Sequence, residues 1–244
     1  MSKSVLEAIG PDIAIDGVPW LPGGKKKRIG INSLTANILC KRHNQTLSPL
    51  DDAAGKFFRK LQAIHVDLQH KSLSRKHSLV IMSGETAELW MLKLACGLFY
   101  SKNAAEDGAR LIVDHHLNEK LVQEALFRSL WHDGCGLYMK APQGPRTPDT
   151  DAISMEPLIA WSENQVVGSA VTFAGLEFQL IFDAIGVNKE QLSREGLVHR
   201  PSELRFRAEK RAHSVSLTWV PGTPPRLVEM TNTVVRKRSC SQKG

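Results

Sequence analysis

Leu176-Glu-Phe-Gln-Leu-Ile-Phe182 alternates Leu176, Phe178, Leu180 and Phe182 with Glu177 and Gln179. Successive side chains of a strand point to opposite faces, so this period of two predicts a half-buried β-strand. Two further stretches repeat the pattern. Leu204, Phe206 and Ala208 alternate with Arg205 and Arg207, and Val215, Leu217 and Trp219 alternate with Ser216 and Thr218. One wet face and one dry face on each run predict an antiparallel sheet in the C-terminal half.

Towards the N-terminus the period changes. Ala141-Pro-Gln-Gly-Pro-Arg-Thr-Pro148 is a breaker-rich loop, and before it the spacing is helical. Leu50, Ala54, Phe57, Leu61, Ile64 and Leu68 recur at steps of three and four, one stripe of an amphipathic helix with Lys56, Arg59 and Lys60 to its sides. Ser48 reads as its N-cap, Pro49 as its first residue, and Asp51 and Asp52 suit the positive end of its dipole. Ser83 opens a second helix to Ser101 with so little polar face that it should be buried and central. A third runs from about Asn118 to Leu130, with Leu121, Val122, Ala125 and Leu126 inward. Ser4–Ile9 reads as a short helix, and Ile29–Leu39 as strands around a turn at Asn32-Ser33.

The expected fold is therefore α+β. A basic β-hairpin and helix module spans 1–78, a helical segment 79–135, and an antiparallel β domain with a basic tail 136–244. The longest apolar run, Leu89–Tyr100, is too short to cross a bilayer and carries Lys93. Met1-Ser-Lys-Ser-Val-Leu-Glu has no long apolar core of a secretory signal. Cys40, Cys96, Cys135 and Cys240 show no paired spacing, which predicts reduced thiols and a cytoplasmic location. Cys96, inside an apolar helix, should be a buried, inert thiol.

Charge is unevenly spread. Residues 1–78 hold 13 Lys/Arg against 6 Asp/Glu, while residues 79–244 hold 19 of each, so the whole net charge of +7 lies in the first third. Phosphate-rich partners favour such a segment because binding releases counterions. Lys25-Lys-Lys-Arg28 is its densest run, and Lys41 and Arg42 follow.

Cys40-Lys-Arg-His43-Asn44 lies between the expected strand and helix. A Cys and a His separated by two residues can turn both ligand atoms towards one tetrahedral metal. With the preceding Asn32-Ser-Leu-Thr-Ala-Asn-Ile-Leu and the helix behind it, the stretch resembles the second half of HNH-type, treble-clef proteins. The resemblance covers about residues 1–68. It implies structural zinc on Cys40 and His43, an active-site-supporting role for Asn44, and DNA or RNA facing Lys25, Lys26, Lys27, Arg28, Lys41 and Arg42. It also implies a first ligand pair and a water-activating His upstream, beside a catalytic divalent metal such as magnesium. Neither Cys nor His precedes Cys40, so the expectation is a degenerate module, or one whose true start lies before Met1.

Two readings compete. One is a non-catalytic module that binds a protein partner. The other is a manganese-type phosphoesterase, because Val113-Asp114-His115-His116 and Asp149-Thr-Asp151 resemble its metal-binding motifs, though in reversed order. His65, His70 and His77 are expected on helix surface or in loop, and His199 and His213 as satisfied structural histidines. Trp90 and Trp219 fit the core.

Overall fold

Two sheets, held together by two long helices, organise the chain. The structure is a computed structural model that describes residues 3–10, 12–15, 27–30, 41–69, 79–101, 105–106, 109–110, 115–150 and 152–234. Helix α1 (Lys3–Ile9) precedes an antiparallel ribbon of β1 (Asp12–Ile15) and β2 (Lys27–Gly30). Helix α2 (Lys41–Gln69), strand β3 (Leu79–Ser83) and helix α3 (Gly84–Ser101) follow. A second ribbon, β4 (Ala105–Glu106) with β5 (Ala109–Arg110), leads to β6 (His116–Leu117) and helix α4 (Glu119–Arg128). Beyond it come β7 (Gly136–Lys140), β8 (Ile153–Ala160), a 3-10 turn at Trp161–Glu163, β9 (Gln165–Phe173) and β10 (Leu176–Ile181). Helix α5 (Lys189–Arg194), β11 (Val198–His199), β12 (Glu203–Ala208), β13 (Arg211–Thr218) and β14 (Leu227–Thr231) complete the described chain.

The larger sheet has the order β11-β7-β10-β9-β6, with β8 also paired to β9; the smaller has the order β14-β12-β13-β3. The expected α+β class, helical middle and C-terminal strands are all present. The smaller sheet is mixed rather than antiparallel, because β14 runs parallel to β12 and β3 runs parallel to β13. Leu79–Ser83, at the start of the segment expected to be helical, supplies an edge strand to the C-terminal sheet. Its short apolar run is too brief for periodicity to separate strand from loop.

The predicted stripe of α2 is its buried face. Ala54, Phe57, Leu61, Ile64 and Leu68 are all buried, and Phe58 beside them as well. Phe58 stands edge-on to Trp90 of α3 at 5.5 Å and to Phe173 of β9 at 5.1 Å. Phe57 meets Phe178 of β10 at 5.8 Å, while His65 on the same helix meets Phe206 of β12 at 5.0 Å. One helix thus seals against both sheets, and a single apolar cluster runs from Val5 to Met230. Helix α1 comes so close that a Cβ on Gly55 would lie 2.6 Å from the Ser4 carbonyl.

Helix ends follow the sequence in two places. Ser83 Oγ accepts the Thr86 amide at 3.1 Å to start α3, and Asn118 Oδ1 accepts that of Leu121 at 3.4 Å to start α4. The start of α2 does not. It begins at Lys41, with Ser48 and Pro49 in its interior. The capping signal did not set the helix start: the helix runs through Pro49, which removes one backbone bond and crowds the carbonyl one turn back. An antiparallel ribbon joins Asp12–Ile15 to Lys27–Gly30; the strands expected over Ile29–Leu39 around a turn at Asn32-Ser33 lie, beyond Gly30, outside the described residues.

Candidate nucleic-acid interface

At 100° per residue, Arg42, Lys56, Arg59 and Lys60 fall on one side of α2, opposite the buried stripe, and all four are exposed. Arg42 and Lys60 are five turns apart, about 27 Å along the axis. Of the three acids of α2, Asp52 and Asp67 fall on this same side and Asp51 does not. Asp51 pairs with Lys93 of α3 at 2.6 Å, and Asp67 takes His213 Nε2 at 2.9 Å and lies 3.7 Å from Arg211. Asp52 alone among them is exposed, and it accepts the Ser4 hydroxyl at 3.0 Å. Arg59 donates to the Ser4 carbonyl at 3.3 Å, which pins its guanidinium near α1. The result is a cationic helix face over an apolar one. Strand β2 carries Lys27 and Arg28, also exposed.

The residues predicted from sequence are only partly described. Cys40, Lys25, Lys26, Asp114 and Asp151 lie outside the described residues, as do His70 and His77. Lys41 and His43 belong to the first turn of α2, and Asn44 follows them, exposed. Residues 41–44 are therefore helical, where a turn ahead of the helix had been expected. Among the described residues no group of three or more His, Cys, Asp or Glu side chains is arranged to hold a metal ion. Of the phosphoesterase residues, the described His116 and Asp149 lie towards different ends of β9. His116 pairs with Gln165 at one end of β9, whereas Asp149 lies just before Ile153, which pairs with Phe173 at the other end. Those ends are about 26 Å apart.

His65 reverses its expectation. It is fully buried, with Nδ1 3.2 Å from Asn232 Oδ1. Burial pushes its pKa down to about 4, so it is a neutral core histidine. His213 and His199 are satisfied structurally, His213 by Asp67 and His199 by the Cys135 carbonyl at 3.2 Å. The thiols of Cys96 and Cys135 are both pushed up to about 11, mainly by burial, so neither is a reactive thiolate.

One polar group central to the fold went unread in the sequence. Glu88 is fully buried on α3, where it accepts the Leu137 amide at 2.8 Å and a forked pair of bonds from Arg200. Burial raises its pKa and the Arg200 guanidinium opposes that rise. Arg200 in turn lies over the Trp219 ring, 5.7 Å from its centroid. The available signal was a lone acid in the apolar run Ala87–Ala95; a buried carboxylate needs a cationic partner.

No family model matches this chain, and neither a curated protein nor a solved structure matches it.

Proposed function

We propose that this protein binds nucleic acid through its N-terminal third, as an HNH-like module. The observation that carries the reading is the exposed cationic face of α2, Arg42, Lys56, Arg59 and Lys60 against the single exposed acid Asp52. Cations spaced along one side of a helix can meet successive phosphates, and each phosphate neutralised releases condensed counterions. Lys27 and Arg28 on β2 are exposed too, and Lys25, Lys26 and Lys41 add to the charge of the same N-terminal stretch of sequence. These contacts go to the backbone, so they position nucleic acid without reading its sequence.

In this proposal Cys40 and His43 hold structural zinc at the head of α2, and Asn44 supports the site. A cysteine and a histidine three residues apart suit one half of a tetrahedral zinc site, and the remaining ligands would come from a segment not yet identified. Cleavage through a divalent ion such as magnesium is a further step that depends on that segment.

Two measurements test it. Binding of a short DNA or RNA duplex should weaken linearly in log–log plots against salt, and neutralising Lys25–Arg28 should lower both affinity and slope. Salt-independent binding, or none, would sink the proposal. Purified protein should also carry near-stoichiometric zinc that a Cys40→Ser variant loses; well-folded protein without zinc would remove the knuckle while leaving the cationic face to be judged by the salt experiment.

A further inference from the structure

Pro49 lies inside α2. A proline there offers no amide to the carbonyl four residues back, that of Gln45, and its ring crowds the same carbonyl, so the helix is weakest at this turn. Exposure changes at the same point. Arg42, Asn44, Gln45, Thr46, Ser48 and Pro49 are all exposed, whereas from Ala54 onward one full face of the helix is buried. The Thr46 hydroxyl also bonds back to the Arg42 carbonyl at 3.0 Å, a contact that bends helices. Of the side chains described in these two turns only Leu47 is even half-buried, and so short a helix with little packing is marginal in water. A core side chain reaches this weak point. Lys93 of α3, 15% exposed, sets its ammonium 2.6 Å from Asp51 Oδ2 and 3.5 Å from the Leu47 carbonyl. Its two contacts straddle Pro49.

We propose that Pro49 is a hinge on which the leading turns of α2, residues 41–48, move separately from the docked remainder, with Lys93 as the positioning residue that latches them. The use of the hinge rests on the nucleic-acid reading above. Arg42 and Asn44 ride on the moving part and Lys56 and Lys60 on the fixed part, so closure brings two sets of contacts onto one polyanion. The hinge itself does not rest on that reading.

Amide hydrogen exchange on the full chain, without nucleic acid, tests the hinge directly. Residues 45–48, whose amides have acceptors within the helix, should exchange about 100-fold or more faster than residues 57–68, because they open without global unfolding. Pro49→Ala should slow exchange in 45–48 and leave 57–68 unchanged. Lys93→Met, which removes the ammonium from the Leu47 carbonyl and keeps the apolar stem, should speed exchange in 45–48 only. Uniform protection across 45–68, or exchange in 45–48 that ignores both variants, overturns the hinge. Adding a DNA duplex then tests its use: new protection confined to 45–48 supports closure, and binding that leaves their exchange unaltered overturns it. If no duplex binds, the nucleic-acid reading and the proposed use fall together, while the exchange pattern of the free protein still decides the hinge.

Discussion

Arg200 grips Glu88 across 112 residues of chain, with Nε 2.7 Å from Oε1 and Nη2 3.1 Å from Oε2. The carboxylate has no exposure, and it also takes the Leu137 amide. One side chain on α3 therefore ties the larger sheet, through β7, to the link between β11 and β12. Arg200 holds a left-handed backbone, φ 45°, to make the reach. Strain of that kind persists where the surroundings over-determine it.

Breaking this pair from one side should be severe. Glu88→Gln leaves a mostly buried guanidinium without its counter-charge and is expected to destabilise by about 3–5 kcal/mol. Urea unfolding measures it. The double variant Glu88→Met with Arg200→Met should cost clearly less than the sum of the two single changes, since each single change strands a charge that the double removes. Additive losses would mean that the two residues are not coupled.

Gly136 should be intolerant where Gly144 is not. Both hold positive φ, 132° and 74°, so each substitution to alanine costs about 1–3 kcal/mol on backbone grounds. A Cβ on Gly136 would also lie 2.8 Å from Glu88 Oε1 and 2.9 Å from Arg200 Nε, whereas one on Gly144 meets nothing within 4 Å. Gly136→Ala should therefore unfold at distinctly lower urea than Gly144→Ala. Equal midpoints would contradict the packing at the ion pair.

Stability should fall in mild acid because of His65. Its pKa is about 4 in the folded protein and 6.5 when unfolded, so between those values the unfolded chain binds the extra proton. The contribution is complete above pH 6.5 and drains away as pH falls towards 4, with about 2 kcal/mol lost by pH 5. His199, also held near 4 by burial, adds a loss of the same sign. His65→Leu should flatten the stability profile between pH 7 and 5 without abolishing the slope that His199 leaves. An unchanged profile would place the proton elsewhere.

The cationic face of α2 should count in phosphates. Lys56→Ala with Lys60→Ala should weaken duplex binding roughly uniformly across sequences and reduce the salt slope by about 2. Both side chains are exposed, so the melting temperature should stay close to that of the parent. A loss confined to one sequence would argue for base contacts instead.

Local chemistry was enough to read much of this protein. The period-two runs at Leu176, Leu204 and Val215 became β10, β12 and β13, and the stripe from Ala54 to Leu68 became the buried face of α2. Ser83 and Asn118 start helices where their side chains said they would. Each of these depends on neighbours within a few residues, which is all that a pattern in one chain records. The cationic side of α2 was legible for the same reason, as the complement of its apolar stripe.

What the tertiary structure alone decided involves partners far apart in the chain. The parallel pairing of β3 with β13 joins residues more than 130 positions apart, and no local signal encodes that register. His65 looked like a surface histidine because polarity is judged residue by residue; it is buried because Asn232 and Phe206 arrive from the far end of the chain. Glu88 is explained only once Arg200 is beside it. A sequence thus determines which faces must leave water, through the periodicity of its apolar groups. Which polar groups can leave with them is decided by long-range pairing, because a buried charge or imidazole is stable only with a partner that the fold brings to it.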